Sequence, residues 1–142
     1  MATICTPVPS KSIQESSGLH EVVDLLVTSF SVKAASNKNF FVNEIPDHLQ
    51  LSADPQGIAS VLGGLFSAVV SYANDSCIRL SAKIYGNVIL IQVKDSSSCN
   101  INAMESQIRK LQPLAESMRG SVGVTSQRNN ITTLTFGFPN LP

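Results

Sequence analysis

Few side chains in this sequence are of types that do chemistry, and their spacing narrows what that chemistry is. The two histidines, His20 and His48, stand far apart, one beside Glu21 and the other inside a Pro-Asp-His-Leu turn. An unpaired histidine in such a place is by default a solvated surface group. The three cysteines, Cys5, Cys77 and Cys99, form an odd, widely separated set without a CxxC pair. That argues against a disulfide framework or a zinc site and fits a reducing compartment. None has a histidine or a basic cluster beside it in sequence, so they read as buried or incidental thiols and not as nucleophiles. Asp95 closes an alternating apolar run and opens the run Ser96-Ser97-Ser98-Cys99, a place where aspartate commonly forms a turn. Thr133 lies in a β-branched stretch, where strand propensity accounts for it.

Composition sets wide bounds on function. The 142 residues are 43% hydrophobic and 14% charged, enough for one core and too few for two ordinary domains. Lys plus Arg number 10 and Asp plus Glu number 10, with no basic block, so nothing electrostatic favours nucleic acid or an anionic membrane as partner. The longest apolar runs are far shorter than a bilayer span and the N-terminus carries no basic-then-apolar leader. A cytoplasmic protein is expected.

Any site must be positioned by the elements around it, and the strongest of these covers residues 54–72, DPQGIASVLGGLFSAVVSY. Ile58, Val61, Leu62, Leu65, Val69 and Tyr72 recur at three-and-four spacing, the buried stripe of an amphipathic helix. Asp54 can cap the first turn, and Pro55 fits a first helical position whose N–H would be unpaired anyway. The opposite strip, Ser60, Gly64, Ser67, Ala68 and Ser71, is small and uncharged. Gly57, Gly63 and Gly64 each cost this helix about 1 kcal/mol relative to alanine, so the strip calls for a closely packed neighbour.

Along the rest of the chain, residues 1–16 carry Pro7, Pro9 and scattered polar residues, which predicts a flexible tail before a domain spanning 17–142. Leu19, Val22, Val23, Leu26, Val27 and Phe30 predict a helix, with Ser17 available to cap it and Asn37 near its end. Phe40, Phe41 and Val42 predict a short strand, and Leu49 and Leu51 alternate toward Asp54. Residues 77–85 and 87–94 alternate around Gly86-Asn87 as a hairpin. Asn100 or Asn102 can cap a third helix reaching to about Met118, with Ile108, Leu111, Leu114, Ala115 and Met118 inward, a kink or break at Pro113, and a stop at Gly120. Two closing strands, 121–126 and 131–138, flank a polar turn at 127–130. An α+β two-layer sandwich, with three helices on one face of a mixed, mainly antiparallel sheet, buries all of these stripes.

The segment VLGGLFSAVVSYA, residues 61–73, resembles the N box of the ATP-binding domain of histidine kinases (HATPase_c, or GHKL), the domain shared with DNA gyrase and the mismatch-repair ATPases. The phrase NFFVNEIPDHLQLSADP, residues 39–55, resembles the family's approach to that helix, LAESMRGSVGVTS, 114–126, its LVELHGGEISVES, and ITTLTFGFP, 131–139, its GTTFTFTLP. The resemblance covers residues 19–139 and implies the Bergerat-type ATPase fold. It also implies where function is altered. The two N-box asparagines fall on Gly64 and Ala68, and the second of them holds the family's magnesium, for which an alanine methyl has no lone pair. The family's DxGxG reads Asp95-Ser96-Ser97-Ser98-Cys99 here: the adenine-binding aspartate is kept, and Ser97 and Cys99 replace the glycines that let backbone approach the ligand. The phosphate-cradling GxGLGL falls near Glu105-Ser106-Gln107-Ile108, with no glycine and an acid that repels phosphate. The interval from Asp95 is too short for a full ATP lid. Thr133 matches a threonine that lies near adenine in relatives.

His20-Glu21 resembles the family's phosphoacceptor pair, but the residues after it match the opening helix of the ATPase domain and not the hairpin that carries that histidine. With no hairpin and no receiver domain in this sequence, a phosphorelay would need another chain. The resemblance thus implies a pseudokinase: a catalytically inactive ATPase-like domain acting as a regulatory or protein-interaction module in two-component signalling, with no cofactor and an unidentified protein partner. One alternative is a residual ATP- or ADP-binding domain that holds adenine through Asp95 and Thr133 and takes magnesium and phosphate elsewhere. The other is a small-molecule sensor that uses the space left by Ser60, Gly64, Ser67 and Ser71.

Overall fold

Caps and apolar stripes decide where the helices run. The computed structural model describes residues 18–96, 101–126 and 131–141; the expected tail 1–16, Ser17, Ser97, Cys99, Asn100 and the turn 127–130 lie outside the described residues. Helix α1, Leu19–Ser36, starts from Gly18 without a side-chain cap and buries Leu19, Val22 and Val23, with Leu26, Val27 and Phe30 partly buried beside them. It ends where Lys38 turns left-handed at φ 61°, the Lys38 and Asn39 N–H groups donating back to the carbonyls of Ala35 and Ala34. Helix α2, Pro55–Tyr72, begins as its sequence requires, with the Asp54 carboxylate accepting from the Gln56 N–H at 3.2 Å. Ile58, Val61, Leu62, Leu65 and Val69 are fully buried, and so are Phe66, Ala68 and Val70, so the buried sector is wider than the stripe alone. The Phe66 ring meets Phe30 edge-on at 5.9 Å and Phe41 at 5.0 Å, contacts worth about 0.5–1.5 kcal/mol each beyond area burial.

Five strands form one sheet: β1 (Phe40–Asn43), β2 (Cys77–Tyr85), β3 (Val88–Asp95), β4 (Ser121–Ser126) and β5 (Thr132–Pro139), in the order β1-β2-β3-β5-β4. β1 runs parallel to β2, and every other pairing is antiparallel. Gly86, at φ 63°, takes the first of the two turn positions between β2 and β3. Alternation gives the sheet two different faces. Ile78, Leu80, Ile89, Ile91, Val93, Leu134, Phe136 and Phe138 are buried against the helices, while Arg79, Lys83 and Lys94 stand exposed on the helix-free side. A buried asparagine fastens the edge: Asn39 donates to the Ala73 carbonyl at 2.9 Å and accepts from the Ser76 N–H at 3.0 Å, tying the start of β1 to the exit of α2.

The expected third helix is two helices, α3 (Ile101–Arg109) and α4 (Gln112–Glu116). The break falls at Lys110 and Leu111, and Pro113 sits in the first turn of α4, where a missing N–H costs nothing. α4 ends through Arg119 at φ 64°, one residue before the expected Gly120. Leu114, expected inward, is 39% exposed. Leu49 and Leu51 belong to no strand; Gln50 makes one isolated bridge to Gly18, and the Asn140 side chain occupies the N–H groups of Ser52 and Ala53 that a ladder would use. Among the described residues no helix is long and apolar enough to cross a membrane.

Candidate functional site

The motif residues meet where α2, the end of β3 and α3 come together. Asp95 is the last residue of β3, and its odd position, shared with Ile91 and Val93, turns its carboxylate toward the helices. It is 1% exposed and accepts a hydrogen bond from the Ser76 hydroxyl, itself buried at the start of β2. In register beside it on β5 is Thr132, also buried. Thr133 is buried too, but its partners across the ladders are Lys94 and Thr125, on the helix-free side. The structure therefore brings Asp95 together with Ser76 and Thr132 and puts Thr133 on the other face. A two-residue period counted back from Phe136 and Phe138 carries this signal, since even positions of β5 point inward.

Gly64 and Ala68 lie on the side of α2 that meets α3 and α4. A Cβ built at Gly64 would come within 2.4 Å of Leu111 Cδ2 and 2.7 Å of Cδ1, so the Leu111 side chain fills the volume that a larger residue at 64 would need. Ala68 is fully buried. One turn further, the Gln107 amide donates to the Tyr72 hydroxyl at 3.4 Å. At Gly57 the corresponding volume is taken by Met118, whose Sδ would lie 2.8 Å from an added Cβ. The strip of small residues thus has its close neighbour at Gly64, while Ser60 and Ser71 are exposed and donate their hydroxyls to the Gln56 and Ser67 carbonyls. Sequence reasoning expected Leu111 inward but not its seat on Gly64, and it missed Ser76 and Thr132; nothing local marks Ser76.

Residues 105–108 lie inside α3 and not at a helix start. Only the first four N–H groups of a helix lack intrahelical partners, so these positions have no amides to turn toward a phosphate. Glu105 pairs with Arg109 at 3.7 Å on the exposed surface, and Met104 and Ile108 are buried. Position 68 supplies a methyl and position 64 a hydrogen, so the side chains present do not fit a magnesium–triphosphate at this place. His20 lies with Nδ1 3.6 Å from Asp24 and Nε2 3.7 Å from Asp47, on α1. His48 is an exposed loop residue.

No protein-family model matches the sequence and no curated protein matches it. Solved structures do match the fold. Histidine kinase AdeS of Acinetobacter baumannii superposes with a TM-score of 0.74 at 11% identity, over 87% of this chain and 65% of that one. The nucleotide-free catalytic domain of histidine kinase ThkA gives 0.74 at 16% identity over 89% and 96%. ThkA in complex with response regulator protein TrrA gives 0.70 at 17% identity, over 89% of this chain and 42% of that one. The chain spans just under two thirds of AdeS and nearly all of the isolated ThkA domain. It has the fold of the histidine-kinase catalytic domain.

Proposed function

We propose that this domain keeps the histidine-kinase ATPase scaffold without its catalysis and works through protein contacts as a regulatory module in signalling. The observation that carries this is Leu111 seated on Gly64, with Ala68 buried. Asp95, the one polar group kept from the adenine end, has a structural duty toward Ser76. A triphosphate at this place would meet the Leu111 side chain, the Ala68 methyl and, at residues 105–108, amides already bonded within α3, and desolvating its charge without partners is prohibitive. The same Leu111 takes room that a small-molecule sensor would have used. The protein partner is unidentified; the crystallised pairing of ThkA with a response regulator makes proteins of that class the first to try.

The test is calorimetry with ATP and ADP, each with and without magnesium, alongside thermal melting. A ligand at about 100 times its Kd stabilises a fold by about 2.7 kcal/mol, so binding in this cleft would raise the melting temperature visibly. The expected outcome is no nucleotide-dependent shift that Asp95→Asn abolishes. Micromolar binding, lost in Asp95→Asn while the variant stays folded, overturns the proposal.

A further inference from the structure

The helix-free side of the sheet carries a second concave site. A cleft of about 440 Å³ is lined there by Glu44, Cys77, Arg79, Ser81, Lys94, Asp95, Ser96 and Ile131. Its volume falls within the roughly 300–1,000 Å³ of small-ligand pockets. Alternation puts the Arg79 side chain on this side, and the β2–β3 register sets Lys94 directly opposite it. Side chains so paired have Cβ atoms about 4.5–5.5 Å apart, and like charges in that relation destabilise the ladder. Arg79 has one counter-charge, Glu44, at 3.5 Å. Lys94 has no ion-pair partner among the described residues. Its neighbour Asp95, which also lines the cleft, turns its carboxylate inward, where it accepts from the Ser76 hydroxyl.

Lys94 thus stands on the wall of this cleft as a cation with no ion-pair partner among the described residues, while Arg79 is paired with Glu44 and the Asp95 carboxylate is turned to Ser76. We propose that this cleft binds a small anion, its charge carried by phosphate or by paired carboxylates. The guanidinium fork of Arg79 matches either oxyanion in two-pronged fashion, and Lys94 adds a point charge from the adjacent strand. Ser81 offers a hydroxyl donor, and Ile131 gives an apolar wall for the rest of the molecule. The site is independent of the cleft beside Gly64, from which the sheet separates it.

Cys77, half-buried in the lining, makes the site readable. In a chain carrying Cys5→Ser and Cys99→Ser, it is the sole thiol, and its rate of alkylation by N-ethylmaleimide, an uncharged reagent, is measured with pyrophosphate or succinate at matched ionic strength. The expected result is protection by at least one anion, about tenfold at about ten times its Kd. Lys94→Gln should remove that protection, and Arg109→Gln, on α3, should leave it intact. Protection by pyrophosphate alone assigns a phosphate ligand, and by succinate alone a carboxylate. If neither anion protects, if chloride protects equally, or if protection survives Lys94→Gln, the proposal fails. Both substitutions are at exposed positions, and circular dichroism confirms that each variant is folded.

Discussion

Asparagine placed at position 64 would have to share its volume with Leu111, whose Cδ2 stands 2.4 Å from the new Cβ. Gly64→Asn should cost about 1–3 kcal/mol in urea denaturation, the usual penalty for overpacking. Combined with Leu111→Ala it should cost less than the sum of the two single changes, with a coupling of about 1 kcal/mol. Strict additivity would show that Leu111 does not fill that space. Gly63, one residue away on α2, has no neighbour closer than Leu26 Cδ2 at 4.0 Å. Gly63→Ala should therefore gain about 1 kcal/mol from helix propensity alone, and a loss of stability would mean that this glycine is needed for packing. The glycines themselves were visible in the sequence, and so was the demand for a neighbour. Which residue meets that demand was not, because Leu111 reaches Gly64 through a turn far along the chain. The family motif pointed to Thr133, and Thr132, which lies in register beside Asp95, was missed because the motif was followed instead of the two-residue period of β5.

At the scale of elements, α3 and α4 show why one apolar stripe became two helices. Residues from Ile108 to Met118 keep helical spacing, yet the Lys110 and Leu111 N–H groups donate to carbonyls three residues back, the tight closing turn of α3. The turn delivers Leu111 to α2. Pro113 then opens α4 at a position that tolerates it, so Pro113→Ala should change stability by less than about 1 kcal/mol and leave the helical circular dichroism unchanged. A rise in helicity would show that proline, and not the packing of Leu111, keeps the two helices apart. The long stripes of α1 and α2 and the β2–β3 hairpin were plain in the sequence, since each is set by local period and turn chemistry. The stretch around Leu49 and Leu51 looked like a strand because alternation records burial, not ladder bonds. Leu49 is buried at 5% exposure, while Asn140 satisfies the backbone beside it.

For the whole molecule, the sequence and the superposed structures agree on the scaffold. A sheet buried on one side by helices followed from the alternating strands and the helical stripes. The strand order, with β5 between β3 and β4, comes from pairings distant in sequence that composition does not encode. One local knot bears on how such a domain is used. Gly18 bridges Gln50 through the Leu19 N–H, which donates to the Leu49 carbonyl at 3.0 Å, and the Asn140 amide donates to the Gln50 carbonyl at 2.9 Å while its own N–H reaches the Asn87 carbonyl at 2.7 Å. The two ends of the stretch from Gly18 to Asn140 are therefore pinned side by side. A body shaped this way can be spliced as a cassette into a surface loop of a larger host without stretching either connection, and an architecture built from exchangeable parts needs that kind of portability.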